Sequence, residues 1–344
     1  MRIALIGFGG VGKALLRLLR DKREELLSQG IDSKVTYILA SRGGLFCPEG
    51  VDAGALFAHL EQGGRVDNFP QGGSGEITPD YLAQRADVDV AIDLLPTNKH
   101  TGQPGLDCVG RLLDAGVHVI LADKGPAMLA YHDLAQRARA RGVQLGLGCT
   151  TGGALPSING GLLDLAGAQI QSIEGVLNGT TNFILQEMEQ TGCTYAQALK
   201  KAQDCGIAET DPSLDVEGWD TAGKLLILTN VLMGQHKTLA DISVTGITGL
   251  TPQQILDARA QGKKYKLMGS TRRDETGILT MTVAPQAVGP EHPLFSADGK
   301  NKAVRYTSDT LGDLTIMGGA SGTTPAAASV LRDLVNICRG CRFV

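Results

Sequence analysis

The densest run of ionisable side chains lies between Cys205 and Leu228, CGIAETDPSLDVEGWDTAGKLLIL. Here Glu209, Asp211, Asp215, Glu217, Asp220 and Lys224 run directly into Leu225, Leu226, Ile227 and Leu228. Pro212 restricts Asp211 to extended conformations, so Glu209 to Pro212 is expected to be a loop, and a helix can begin only beyond it, near Asp215 to Gly218. On that helix Asp220 and Lys224 stand one turn apart on one face, with the carboxylate N-terminal to the ammonium, the favourable order for a pair. The apolar residues that follow leave little of the helix free to face water, which directs Lys224 into a cleft or a core. An enclosed ammonium needs a partner, and one held by a carboxylate can hydrogen-bond a substrate oxygen or exchange a proton. A purely structural ion pair would give the same pattern, and these residues alone leave both readings open.

The elements that must position such a group fit a chain of two lobes, since 344 residues exceed one minimal domain. With 4% aromatic residues, a net charge of -4 and no basic stripe, the chain lacks the footprint of a nucleic-acid binder. Seven cysteines, an odd number scattered from Cys47 to Cys341, argue for a reducing, cytoplasmic compartment. Cys338 and Cys341 form a single CxxC with no second pair and no histidine in register, which reads as incidental. No apolar run approaches the ~18 residues of a membrane span, and MRIALIG reads as a first strand and not a signal peptide.

Arg2 to Ile6 is a buried-strand run followed at once by GFGGVG, in which Gly7, Gly9, Gly10, Val11 and Gly12 precede an amphipathic helix from Lys13 to Arg20. Strand, glycine turn and helix in that order form a dinucleotide-binding fingerprint: the glycines permit a tight turn and close approach of a pyrophosphate to the helix N-terminus. The second strand, Lys34 to Ala40, ends in Ser41 and Arg42, where a carboxylate would select a free ribose hydroxyl. A hydroxyl and a guanidinium suit a 2'-phosphate instead, so NADP(H) is expected in preference to NAD(H). Residues 43 to 80 show no strong period beyond a short helix around Ala53 to Leu60. Strands are expected over Asp87 to Leu95, Gly116 to Leu121 and Val143 to Leu147, with a helix over Leu129 to Arg141. The carboxyl ends of the first two strands place Pro96, Thr97, Asn98 and Lys124 at the cofactor crevice, while Lys99 and His100 read as a surface pair.

The small-residue segment GCTTGGALP, Gly148 to Pro156, closes this α/β pattern. The expected organisation is an N-terminal Rossmann-type doubly wound parallel sheet, residues 1–148, and a second α+β lobe, residues 149–319. The alanine-rich helix of about residues 320–344 returns to the first lobe. Within the second lobe, strands are expected over Ile170 to Leu177, Ile278 to Ala284 and Ala303 to Ser308. NGTTNFIL, Asn178 to Leu185, opens a helix, and Asn178 or Thr180 could serve as no more than its cap.

GFGGVGKALL, LPTNKHTGQPG, ADKGPA, NGTTNFIL and above all GIAETDPSLDVEGWDTAGKLLIL together resemble homoserine dehydrogenase, in its short form without an appended regulatory domain, over nearly the whole chain. The resemblance implies NAD(P)-dependent interconversion of L-homoserine and L-aspartate 4-semialdehyde by a homodimer whose second lobe binds the amino acid. It also implies that Lys224 is the catalytic lysine with Asp220 its partner and that Lys124 is a second active-site lysine. Glu209 and Asp215, with Asn178 and Thr180, would bind the substrate. Two positions depart from the family pattern. An acidic residue that joins backbone carbonyls in an alkali-cation site is replaced by Gly148, leaving only the backbone of Thr151, Gly153 and Leu155, so little dependence on added salt is expected. The asparagine before the first lysine is Asp123, which sets a carboxylate beside Lys124. A reductase for another small amino-acid semialdehyde or keto compound could use the same lysines. A non-catalytic NADP sensor would have no need of the charged Glu209, Asp215, Asp220 and Lys224 set.

Overall fold

The structure is a computed structural model that describes all 344 residues. Two units divide the chain: Met1–Thr150 with Gly322–Val344, and Thr151–Ser321.

In the first unit, strand β1 (Arg2–Ile6) leads through Gly7 into helix α1 (Gly10–Asp21). Gly12, Ala14, Leu15, Leu16 and Leu19 recur at helical spacing and form the buried stripe of α1. Strands β2 (Lys34–Ala40), β3 (Gly43–Phe46), β4 (Gly73–Ser74), β5 (Val90–Asp93), β6 (His118–Leu121) and β7 (Leu145–Gly146) complete one sheet of order β4-β3-β2-β1-β5-β6-β7. β2, β1, β5, β6 and β7 run parallel, as a doubly wound sheet requires. The two antiparallel strands β3 and β4 extend it beyond β2 and occupy a stretch in which the sequence gives no strong period. They are short and rich in glycine, so alternation has no length over which to emerge. Helix α2 (Gly105–Asp114) precedes β6, and helix α3 (Lys124–Arg141) follows it. Helix α3 starts at Lys124 and not at Leu129, because the Asp123 carboxylate accepts from the Gly125 N–H and caps it, while a non-helical Ala130 interrupts its interior.

The second unit is built on a six-stranded sheet. Strand β8 (Ile170–Val176) precedes helix α4 (Gly179–Thr191), and helix α5 (Trp219–Leu232) precedes the short β9 (Ile242–Val244). Strands β10 (Lys264–Arg273), β11 (Leu279–Val288), β12 (Lys302–Ser308) and β13 (Asp313–Gly318) follow, and the sheet order is β13-β12-β8-β10-β11-β9. The sequence pattern predicts no strand at β9, β10 or β13, although β10 pairs along its length with β11 and is central to the sheet. Its apolar signal is masked by lysines and arginines at both ends and by Lys266, which is buried all the same. Helix α5 lies on β10: Thr221, Leu225 and Thr229 fall on one face, a Cβ at Gly269 would sit 3.2 Å from the Thr221 methyl, and Thr229 shares a 2.7 Å hydroxyl hydrogen bond with Thr271.

Helix α6 (Thr323–Cys338) belongs to the first unit and packs along α1. Thr323 lies so near that a Cβ at Gly10 would come within 2.6 Å of its methyl group.

Candidate active site

The nucleotide crevice of the first unit forms where strand order reverses, between β1 and β5. Gly7 has φ +105° and passes so close to the strand end after β5 that a Cβ would lie 2.8 Å from the Leu94 carbonyl oxygen. A Cβ at Gly12 would lie 2.6 Å from the Gly7 carbonyl oxygen, so these two glycines fold the turn onto itself. Gly9 differs, since a Cβ there meets nothing within 4 Å. It is the N-cap of α1, and no side chain caps that helix. Open space over uncapped N–H groups suits a pyrophosphate, so the residues present fit a dinucleotide. Gly10 and Val11 form the first turn of α1.

Ser41 and Arg42 are the two exposed residues of the β2–β3 hairpin turn, between the paired Ala40 and Gly43. Asp67 stands near enough to Arg42 to feel its charge, although the Asp67 carboxyl is held below its ordinary range mainly by hydrogen bonds from Arg65. Pro96 and Thr97 are exposed on the loop after β5, and Thr97 Oγ1 accepts from the Lys124 N–H at 3.2 Å. Lys124 therefore sits in the first turn of α3, tied through Thr97 to the neighbouring strand end. Asp123 is buried beside it, where burial raises its carboxyl against the opposing effects of the Gly125 N–H, Thr97 and Lys124.

In the second unit, Gly218 at φ +92° separates a short helix, Ser213–Val216, from α5. Glu209 to Pro212 is irregular, so Asp215 and Asp220 belong to two successive helical segments. Nearly every residue of α5 from Thr221 to Val231 is buried, leaving Asp220 and Lys224 as the partly open positions of its first turns. Lys224 Nζ lies 2.6 Å from Asp220 Oδ2, with side chains 15% and 12% exposed, so water screens this pair little. It also donates to the Leu177 carbonyl at 2.8 Å. Asn178 caps α4 by accepting from the Thr181 N–H, and its amide donates to Asp215 Oδ1 at 2.6 Å and Asp220 Oδ2 at 2.9 Å. Carboxylates only accept, which fixes the orientation of this amide.

Asn178, Asp215, Asp220 and Lys224 are thus brought together. Two expected members stand outside: Thr180 donates to the Ile207 carbonyl at 3.2 Å, and the Glu209 side chain is exposed, with only its carbonyl engaged by Gln203. The Leu177 carbonyl is not legible in the sequence, because a backbone acceptor has no residue signature. Lysine has three N–H donors. Two of those of Lys224 are directed by Asp220 and Leu177, leaving one for a bound oxygen.

The Gly148–Pro156 segment does not fit an alkali cation. At Gly148, where a ligand carboxylate is expected, there is none, and its N–H donates to Asp333 Oδ2 at 2.7 Å. Thr151 Oγ1 bonds Ser157 Oγ at 2.7 Å, and the Leu155 carbonyl accepts from the Ser157 N–H at 2.8 Å. The Gly152 carbonyl accepts both the Leu155 N–H and the ammonium of Lys302, the latter at 2.6 Å. A positive charge already sits against Gly152 and Gly153.

The homoserine dehydrogenase family profile matches residues 156–335. A homoserine dehydrogenase from Methanocaldococcus jannaschii is 36% identical, over 98% of each chain. An NAD(+)-dependent homoserine dehydrogenase from Pseudomonas canavaninivorans is 32% identical, over 98% of this chain and 96% of its own. The crystal structure of a homoserine dehydrogenase from Thiobacillus denitrificans superposes with a TM-score of 0.84 at 28% identity, covering 98% of this chain and 73% of that one. The chain belongs to the homoserine dehydrogenase family of NAD(P)-dependent oxidoreductases.

Proposed function

We propose that this enzyme interconverts L-aspartate 4-semialdehyde and L-homoserine, a step of threonine, methionine and isoleucine biosynthesis, with NADP(H) preferred to NAD(H) and Lys224 as the catalytic acid. The observation that carries this reading is the Asn178–Asp215–Asp220–Lys224 network, which holds an enclosed ammonium at two of its donors and leaves the third for a substrate oxygen. In the reducing direction bound NADPH supplies the hydride. As negative charge grows on the carbonyl oxygen, the Lys224 ammonium stabilises it and then donates the proton. Asp220 and the Leu177 carbonyl keep that ammonium oriented through the change, so no reorganisation is needed at the moment of reaction. Asp215, held through Asn178, keeps its second oxygen for the polar groups of the amino acid.

Glu209, exposed at the edge of the same loop, takes the substrate ammonium in this reading, Thr180 steadies that loop, and Lys124 acts as a second active-site lysine by family resemblance. For the cofactor, Gly7 to Gly12 receive the pyrophosphate, Ser41 and Arg42 the 2'-phosphate, and Pro96 and Thr97 the nicotinamide end. The assembly is a homodimer, a point that light scattering checks. The decisive assay is NADPH oxidation with aspartate semialdehyde beside related aldehydes, for wild type and Lys224→Ala. The expected result is fastest turnover with aspartate semialdehyde and a loss of roughly 10²- to 10⁴-fold in the variant, with NADPH binding intact. Faster turnover of another aldehyde reassigns the substrate, and wild-type turnover in Lys224→Ala removes the role given to the lysine.

A further inference from the structure

Lys302 is the first residue of β12 and is 7% exposed, although a lysine is among the residues least often enclosed. In the β12–β13 register it pairs with Gly318. The next residue, Gly319, lies against the 151–157 loop so closely that a Cβ there would be 2.5 Å from the Leu155 nitrogen. From this end of the sheet the lysine stem reaches into the loop, and its ammonium donates to the Gly152 carbonyl at 2.6 Å. A Cβ at Gly153, a residue with φ +59°, would lie 3.3 Å from the same Nζ, so the ammonium fills the hollow of the turn. An ammonium and a small alkali cation meet the same need here, a compact unit positive charge taken up by carbonyl oxygens. They also exclude each other, because two like charges cannot share one carbonyl cradle.

We propose that Lys302 is a tethered cation: its ammonium holds the Gly148–Pro156 segment in the form that a bound alkali ion would otherwise impose, making this dehydrogenase independent of Na⁺ and K⁺. Charge balance supports the exchange. A metal site of this kind pairs a mobile cation with an anionic ligand; here Gly148 carries no side-chain carboxylate, and the cation is covalently attached on β12. The inference concerns the loop and not the substrate, so its test reads stability first and turnover second.

The full-length wild type and Lys302→Met, which keeps the stem but removes the charge, are exchanged into choline chloride. They are then titrated with NaCl, KCl or NH₄Cl at constant ionic strength, following Tm and turnover. Wild type is expected to keep the same Tm within about 1 °C and the same rate in all four salts. Lys302→Met is expected to lose several degrees in choline and to regain at least half of the loss in 100 mM K⁺ or NH₄⁺, with turnover following. Should the variant fail to fold, the wild-type titration still decides: a rise in wild-type Tm or rate specific to Na⁺ or K⁺ overturns the proposal. A Lys302→Met deficit identical in all salts also overturns it, reducing Lys302 to an ordinary buried hydrogen bond. Loss of the substrate reading would change the rates but not the Tm pattern.

Discussion

Asp93, the last residue of β5, is fully enclosed, and its two oxygens are treated unequally. Oδ1 accepts from the Leu95 N–H at 3.0 Å, whereas Oδ2 has no hydrogen-bond partner. The Asp123 carboxylate is its neighbour across the start of α2, where a Cβ at Gly105 would lie 2.7 Å from Asp93 Oδ2 and 3.3 Å from Asp123 Oδ2. Burial pushes the Asp93 carboxyl up from 3.8 to about 7, against the Leu95 N–H and with help from the charge of Asp123. The thiol of Cys108 on α2 is likewise raised by burial and by the neighbouring charge of Asp93, with Arg111 one turn along the helix opposing, so it adds no charge to the pocket near neutrality. Because the native state keeps a proton that the unfolded chain has released, stability is undiminished below about pH 4 and falls as pH rises toward 7. At about 1.36 kcal/mol per pH unit, the interval from 3.8 to about 7 amounts to roughly 4 kcal/mol. Asp93→Asn keeps the acceptor for Leu95 and turns an N–H toward Asp123. The variant should therefore gain on wild type from about pH 4 to about pH 7, by a few kcal/mol at most, and keep a constant advantage from there to pH 8. Urea unfolding at pH 4.5, 6, 7 and 8 measures this, and a difference between the two proteins that stays flat across that range would refute the assignment.

Two further substitutions separate cofactor binding from folding. Gly9→Ala adds a methyl group into open space at a φ of -78°, so Tm should be unchanged, while KM for NADPH rises at least tenfold because the methyl occupies the place of the pyrophosphate. Arg42→Ala, at an exposed hairpin turn, should lower kcat/KM for NADPH by about tenfold, in line with the loss of one charge-assisted phosphate contact, and leave NADH almost unaffected. Equal constants for the two cofactors before and after the change would remove the 2'-phosphate role.

What the sequence disclosed and what it concealed divide along one physical line. The glycine turn after β1 and the Asp220–Lys224 spacing were legible because each rests on local geometry, a φ that only glycine tolerates well or two side chains one helical turn apart. The groups that escaped notice, Asp93, Lys266 and Lys302, are charged residues inside the structure, and a periodicity reading spends every charge on the surface. Lys266 hid β10 in this way: its ammonium is satisfied by the Asn182 side chain, the Ala297 carbonyl and Asp298, so the strand can be central while looking like an edge. Asn182 belongs to the same NGTTNFIL segment whose first residue orients Asp215 and Asp220. One buried lysine thus fixes the segment to the 297–301 loop, while Asn178 at its other end serves the candidate site. The partners of the two lysines lie 31 to 150 residues away in the chain, as Lys302 and Gly152 do, and no local pattern reports them. The general reaction could therefore be read from short motifs, but the seating of Lys302 in the 151–157 loop depends on a contact that only folding creates.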